Sequence, residues 1–410
     1  MIHTTSSITA RYLERFQCIG PSCEESCCIG WQVPVDEGSY RKLKKAMSDS
    51  RTERTEFRTV YLPVLPADRN PSLYARIKLL DNGVCSLLDS DKYCSAQRRY
   101  GETVLSNTCA NYPRMLSVAG PRLEMFATLS CPEAARLALL HEDAFEFVDF
   151  KPKPDLRMTL RNAMAPNSPD PYERYFDDVR LTLLRLLSQS KYPLASRTLF
   201  VRNFAQLCAP FYYRGCSPVD ESTLAQILGG IATPELLDEW HQSRTTVDPS
   251  TETAHFLVEL LQERLRGTSA TSLHRLFSDI TQEGKRDSAE LIDLYHRRRQ
   301  RWETAFGDRI DLYFTNYSRN YWLLEWFTHS PNLTAHADKL LLRIALLRFL
   351  LFCHPRLEET ETREALDAAV VETVQRFSRA IEHQRNFVSR LHQALEESGM
   401  DKLAPLLLSL

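Results

Sequence analysis

Glycine is scarce in this sequence, with 13 residues among 410 and no Gly-x-Gly pattern. A doubly wound nucleotide-binding sheet uses closely spaced glycines because its backbone must approach the cofactor phosphates. One doublet, Gly229–Gly230, lies in apolar helical sequence and is interpreted as a helix end. The sequence therefore lacks the usual signal of a glycine-loop cofactor fold.

An excess of one charge is also missing, since 51 basic side chains face 53 acidic ones and the formal charge is -2. No overall field favours a polyphosphate, and we expect no nucleic acid partner. The longest apolar run, Leu340–Cys353, contains Arg343 and Arg348. It is too short for a membrane span and predicts a core helix whose two arginines reach towards solvent. The first residues do not resemble a secretory signal, so we expect a cytoplasmic protein without a transmembrane segment.

Cysteine is abundant only in the first third, where eight of the eleven cysteines lie between Cys18 and Cys131. A proline cluster from Pro152 to Pro171 follows and interrupts helical sequence. We therefore predict two domains, a cysteine-rich domain over residues 1–150 and a helical domain over residues 151–410.

Helical periodicity dominates the second part of the chain. Apolar residues recur there at steps of three and four, as in the series Leu366, Val370, Val374, Phe377 and Ile381. Shorter helices are expected in the first part, with Asp36 and Ser130 as start residues. The predicted fold is mostly α, with few or no strands in the cysteine-rich domain and a helical bundle after it.

Three explanations compete for the N-terminal cysteines. Disulfides are disfavoured because a reducing cytosol keeps ordinary thiols reduced. Burial as a small apolar side chain suits Cys208, Cys216 and Cys353, which lie in apolar helical sequence. The N-terminal group instead lies among glycines and prolines, and thiolates on turns can converge on zinc or an iron-sulfur cluster. Eight candidates exceed one four-cysteine site, so there are either two sites or some cysteines that do not bind metal.

The blocks "FQCIGPSCEESCCIGW", "GVCSLLDSDKYCSAQRRYG", "SNTCANYPR" and "LSCPEAARL" resemble the flagellin lysine-N-methylase family of bacteria. The first three also resemble cysteine-rich zinc- or iron-chelating domains. The later "TNYSRNYWLLEWF" and "LLLRIALLRFLLF" are similar to the helical second half of that methylase family.

This resemblance implies S-adenosylmethionine-dependent methylation of lysine amines on flagellin, with a 4Fe-4S cluster and with zinc as the alternative metal. The metal ligands it implies are Cys18, Cys23, Cys27, Cys28, Cys85, Cys94, Cys109 and Cys131. It further implies a supporting or substrate-anchoring role for Tyr112 and Arg114, and Trp31 is a candidate for packing beside the metal.

Catalytic and donor-binding residues are unknown from the sequence. Polar transfer needs a neutral lysine amine, and Asp89, Asp91, Glu124 and Glu133 are equal candidates for its base. The adjacent Cys27 and Cys28 depart from the radical-type spacing, so polar and radical transfer both stay open. The competing hypothesis is a non-enzymatic zinc- or iron-binding or redox-sensing module that docks on a protein partner. Oligomeric state is not indicated.

Overall fold

The computed structural model describes residues 5–153, 156–165, 168–216, 220–243, 255–259, 261–262, 272–282, 284–358 and 361–382. Its strands are β1 (Ser6–Ala10), β2 (Pro34–Val35), β3 (Tyr61–Pro63), β4 (Ala75–Ile77), β5 (Arg114–Ala119), β6 (Arg122–Ala127), β7 (Phe147–Asp149) and β8 (Leu160–Met164). They form two sheets. The expectation of few or no strands is therefore not confirmed.

The helices before residue 200 are mostly short, and those after it include the two longest. They are α1 (Arg11–Glu14), α2 (Glu37–Ala46), α3 (Arg51–Val60), α4 (Ser95–Tyr100), α5 (Asn107–Asn111), α6 (Pro132–Leu139), α7 (Pro171–Arg174), α8 (Phe176–Leu187), α9 (Leu194–Cys208), α10 (Glu221–Gly230), α11 (Pro234–Gln242), α12 (Ser272–Ile280), α13 (Ser288–Leu324), α14 (Leu333–Phe352) and α15 (Arg363–Phe377). A π-helical turn, Ser378–Glu382, follows α15. The chain is mostly helical, as predicted. Within the described ranges, every helix is too short or too polar to cross a bilayer.

The larger sheet is mixed and has the strand order β7-β1-β6-β5-β8. Its centre is the antiparallel hairpin of β5 and β6, in which Arg114 pairs with Ala127 and Ala119 with Arg122. Gly120 makes the turn with a φ of 57°, a conformation that glycine adopts without strain. Because the hairpin is antiparallel, the segments just before β5 and just after β6 meet at one end of the sheet.

The smaller sheet has the order β2-β4-β3 and is covered by α2 and α3 in a separate hydrophobic core. Asp36 caps α2 by accepting a hydrogen bond from the Ser39 amide, as predicted. The cap of α6 is Cys131 rather than Ser130, whose hydroxyl instead contacts Tyr112.

The larger core joins the mixed sheet to the helices of the second part. The predicted apolar face of α15 is confirmed, since Leu366, Val370, Val374 and Phe377 are all buried. Strand β8 pairs with β5 across the expected domain boundary near residue 150, and that boundary stays a prediction.

Helix α14 is a core helix, as expected, but its arginines do not reach solvent. Arg343 is 6% exposed and Arg348 is 9% exposed. Arg348 pairs with Glu303, and the Arg343 guanidinium lies 4.9 Å from the ring centre of Tyr321. A half-buried carboxylate and an aromatic face replace much of the water around these cations.

Candidate active site

Seven of the eight N-terminal cysteines line one cavity of about 850 Å³. They are Cys18, Cys23, Cys27, Cys28, Cys94, Cys109 and Cys131. Cys85, the eighth, is buried next to this cavity. Its amide donates a hydrogen bond to the carbonyl of Cys28, a lining residue, at 2.8 Å. The structure therefore gathers four sequence blocks that are separated by up to about a hundred residues.

The β5–β6 hairpin brings the last two cysteine blocks together. Cys109 lies in α5, just before β5, and Cys131 follows β6. The Thr128 amide donates to the Pro113 carbonyl at 3.0 Å, and the hydroxyls of Tyr112 and Ser130 are 3.1 Å apart. These contacts close the open end of the hairpin and place both thiols on the cavity wall.

Backbone pairing brings the first two blocks together. Ile29 bridges Val84, and the Gly30 amide donates to the Gly83 carbonyl at 2.9 Å. Gly30 and Gly83 both have a positive φ, a conformation that glycine adopts without strain. The adjacent cysteines Cys27 and Cys28 are thus held against the Cys85 loop.

Residues from the helical part of the chain hold the first cysteine loop in place. Arg379, in the π-helical turn after α15, donates to the carbonyls of Ser26 and Ile29 and pairs with Glu25 at 3.2 Å. Ser272, at the start of α12, donates to the same Glu25 carboxylate at 2.6 Å. The loop around Cys27 and Cys28 is therefore fastened to residues far along the chain.

The thiols differ in their affinity for protons. Burial raises the pKa of Cys109 to about 12 and the pKa values of Cys85 and Cys131 to about 11. The Cys27 thiol donates to the Cys28 sulfur, which raises the pKa of Cys27 and lowers the pKa of Cys28. Most of these thiols hold protons at neutral pH, so a metal that binds them must release those protons.

A model of the FliB lysine N-methylase C-terminal domain matches residues 180–409, more than half of the chain. The chain belongs to the FliB lysine N-methylase family. The matched range includes Ser272 and Arg379, the residues that fasten the first cysteine loop.

Curated relatives agree with this FliB assignment. The chain is 30% identical over 135 residues to the lysine-N-methylase of Salmonella typhimurium (strain LT2), and 29% identical over 135 residues to that of Salmonella choleraesuis. Each match covers 32% of both chains, so the chain spans about a third of the length of these two relatives. It is 30% identical over 134 residues to the flagellar biosynthetic protein FliU of Salmonella muenchen, covering 32% of this chain and 76% of FliU. No solved structure matches.

Trp31, Tyr112 and Arg114 all lie at the thiol cluster of this FliB-family chain. The Trp31 indole donates to the Cys27 carbonyl at 2.6 Å, and its ring centre is 6.2 Å from that of Tyr112. Tyr112 and Arg114 line the cavity, and the Arg114 guanidinium lies 5.1 Å from the ring centre of Phe16. The roles predicted for these three residues stay predictions.

The four carboxylates considered from the sequence are all engaged in ion pairs. Glu124 is fully buried and pairs with Arg180, and Glu133 pairs with Arg136. Asp89 and Asp91 both pair with Arg98. Tertiary pairing therefore argues against all four as the base.

The carboxylates that do line the cavity are Glu25 and Glu102, neither of which was singled out from the sequence. Glu25 is held by Arg379 and Ser272. Glu102 belongs to a short 3₁₀ turn and is exposed on the cavity side. No local motif marks either residue, because its position depends on how the blocks fold together.

Six cations also line the cavity, namely Lys92, Arg98, Arg114, Lys151, Lys153 and Arg157. Arg98 pairs with Asp89 and Asp91, whereas the other five form no ion pair with the described part of the chain. The Arg157 guanidinium donates to the Thr103 carbonyl at 2.7 Å, which fixes it beside Glu102. The cavity thus combines thiols that are mostly protonated with several cations, which favours an anionic group on a ligand.

The donor set is chemically suited to a soft metal, because thiolates are the ligands of iron-sulfur clusters and of structural zinc. Among the described residues, no group of three or more His, Cys, Asp or Glu side chains is arranged to hold a single metal ion. A tetrahedral zinc site would place its sulfurs about 3.8 Å apart, given Zn–S bonds of about 2.3 Å. The described thiols share the lining of one cavity without forming such a single-ion arrangement.

Proposed function

We propose that this chain is an S-adenosylmethionine-dependent protein-lysine N-methyltransferase that acts on flagellin and carries a cysteine-ligated iron-sulfur cluster. Membership of the FliB lysine N-methylase family supports the reaction, as do two relatives named lysine-N-methylase. The relative named flagellar biosynthetic protein FliU supports a flagellar substrate. We place the reaction in the cytoplasm, where the thiols stay reduced.

The observation that carries the proposal is the cavity into which seven of the N-terminal cysteines project. Its volume of about 850 Å³ lies within the range of small-molecule and cofactor sites. The cysteines are the residues that would hold the cluster, because thiolates are its usual protein ligands. A bound cluster with an open coordination position would supply a binding point for amino and carboxylate groups of the donor.

The charged residues of the cavity suit both the donor and the lysine. The side chains of Lys92, Lys151, Lys153 and Arg157 attract the donor carboxylate. The same cations oppose a second ammonium, so they lower the pKa of an incoming lysine from its usual value of about 10.4 and favour the neutral amine.

In a polar transfer, the lysine nitrogen forms a bond to the methyl carbon while the carbon–sulfur bond breaks and its electrons stay on sulfur. The products are the methylated lysine and S-adenosylhomocysteine, and the amine proton passes to water or a carboxylate. Glu102 is the carboxylate at the cavity that is best exposed to receive this proton.

Methylation is tested with anaerobically purified protein whose iron and sulfide have been reconstituted. It is incubated with flagellin and methyl-labelled S-adenosylmethionine, and lysines are mapped by mass spectrometry. We expect labelled lysines with the natural sequence, a loss of labelling with Cys109→Ala, and full labelling with the matched control Cys353→Ala. Cys353 is a buried thiol in the helical part, remote from the cavity lining.

Flagellin that stays unlabelled with a folded, cluster-loaded protein would refute the proposed activity. Saturable binding of S-adenosylmethionine distinguishes an enzyme from a metal-binding or redox-sensing module, because only the enzyme requires the donor.

A further inference from the structure

A second cavity, the α8 groove, has a volume of about 880 Å³ and shares no lining residue with the thiol cavity. Its walls come from α8, α10, α13 and the start of β7. Seven of its lining side chains are apolar, and two of these, Phe147 and Leu181, are 45% and 49% exposed. Exposed apolar side chains that share a groove are typical of a surface that binds another protein.

Arg319 of α13 is a half-buried cation in the lining of this groove. Its guanidinium donates to the Ser188 hydroxyl at 3.0 Å and to the Asn316 side-chain oxygen at 3.4 Å, which are both neutral acceptors. Asp311 is near enough to act on Arg319, but it pairs with Arg197. Burial and the Arg197 charge lower the pKa of Arg319. Within the described ranges, Arg319 therefore has no carboxylate as its counter-ion.

The other charged side chains of the groove are in a different position, because water hydrates them. They are Glu142, Glu146, Asp178 and Arg185, and all four are exposed. Arginine keeps its charge at physiological pH, and a buried charge is costly unless it is paired. A carboxylate on a bound partner would thus supply what Arg319 lacks.

Strand β7 connects the α8 groove with the thiol cavity. Phe147, its first residue, lines the groove, and Phe150, directly after its last residue, lines the thiol cavity. The step between them covers about 10 Å, since an extended chain advances by about 3.3 Å per residue. Strand β7 is also the outermost strand in the order β7-β1-β6-β5-β8, so one of its edges pairs with no described strand. A protein that covers the groove can therefore follow β7 to the thiol cavity.

We infer that the α8 groove docks the protein substrate by holding a segment that carries apolar side chains and a carboxylate. The carboxylate pairs with Arg319, the apolar side chains cover Phe147 and Leu181, and the target lysine enters the thiol cavity beyond β7. This inference rests on the proposed function and extends it, because it assigns where flagellin is held outside the methyl-transfer cavity. Arginine is suited to this role, since it is enriched among the residues that dominate binding energy at protein interfaces.

Binding of purified flagellin tests the groove without relying on methyl transfer. The reconstituted full chain is titrated with flagellin in the absence of S-adenosylmethionine, and the Kd is measured by calorimetry. Arg319→Met removes the charge but keeps an apolar stem, and we expect a Kd at least about tenfold higher. Leu181→Ser changes an exposed position and should raise the Kd about fivefold. The control Arg41→Gln, at an exposed pair with Glu37 outside the groove, should leave it unchanged.

Urea denaturation separates docking from a structural role. Because Arg319 is half-buried without a counter-ion, its replacement by methionine should leave the urea midpoint unchanged or raise it. A docking residue thus weakens flagellin binding at full stability, whereas a residue that supports the fold would lower both.

Four results would overturn the inference. They are a wild-type chain that does not bind flagellin, an unchanged Kd in Arg319→Met or Leu181→Ser, a lower urea midpoint in Arg319→Met, and loss of a dimer of this chain instead of flagellin binding. The last result would assign the groove to a second copy. Failure of the proposed function is distinguishable, because the wild-type chain would then bind flagellin through the groove and leave its lysines unmethylated.

Discussion

Arg379 provides a sharp test of how the helical part of the chain holds the cysteine loop. Its guanidinium donates to the Ser26 carbonyl at 3.2 and 3.3 Å and to the Ile29 carbonyl, and it pairs with Glu25. The Arg379 side chain is 18% exposed, so water screens these contacts only partly. Replacement by glutamine removes the charge and cannot satisfy both carbonyls.

The magnitude follows from the lost contacts. Hydrogen bonds that involve a charged group contribute about 1.5–3 kcal/mol each, so losing two should favour opening of the loop by about 3 kcal/mol. A change of about 1.4 kcal/mol is tenfold in an equilibrium constant, which predicts about 100-fold more frequent opening. The helices should remain folded, because Arg379 lies outside their packed faces.

Native-state hydrogen exchange measures this opening directly. In Arg379→Gln, the amides of Gly30 and Cys85 should exchange about 100-fold faster, because both bond across the loop. Arg356→Gln is the matched control, since Arg356 forms a surface pair with Glu372 and its side chain is 57% exposed. Unchanged exchange of the two loop amides in Arg379→Gln, relative to this control, would refute the reasoning.

Two further predictions concern stability. Glu124→Gln should lower the free energy of unfolding by about 3 kcal/mol, because it leaves the buried Arg180 charge without its main partner. The control Glu146→Gln, at an exposed ion pair, should change this free energy by less than about 1 kcal/mol. Urea denaturation compares them, and equal midpoints would contradict the claim. Burial lowers the pKa of His354 to about 4, so the unfolded chain takes up its proton first. Stability from this residue should be complete above about pH 6.5 and fall by up to about 3 kcal/mol as the pH drops towards 4. A His354→Gln chain should show a correspondingly flatter dependence of unfolding free energy on pH, and an unchanged slope would refute this assignment.

The local spacing of apolar residues was sufficient to predict much of the helical part of the chain. The spacing of Leu366, Val370, Val374 and Phe377 predicts the buried face of α15, and Cys208 and Cys353 are buried as small apolar side chains. The prediction for α15 succeeds because residues three and four positions apart lie on the same face of a helix. The spacing of apolar residues along a short stretch therefore shows which face is buried.

The mixed sheet was missed although one local signal was present. Gly120–Pro121 separates two apolar runs, and this is the pattern of a β-hairpin turn. The other strands are short and pair with distant partners, such as β1 with β6 and β5 with β8. Neither of two short strands that pair across a long sequence separation has a repeating pattern that identifies its partner.

The sequence by itself determined the mostly helical character, the concentration of thiols in the first third and the resemblance to a methylase family, since composition, periodicity and motif are properties of neighbouring residues. Only the tertiary structure decided which cysteines are neighbours, that Glu25 and Glu102 rather than Glu124 line the cavity, and that Arg379 fastens the loop of Cys27 and Cys28. The physical reason is that a site assembled from four blocks depends on chain crossings and buried pairings, which no single stretch of sequence contains.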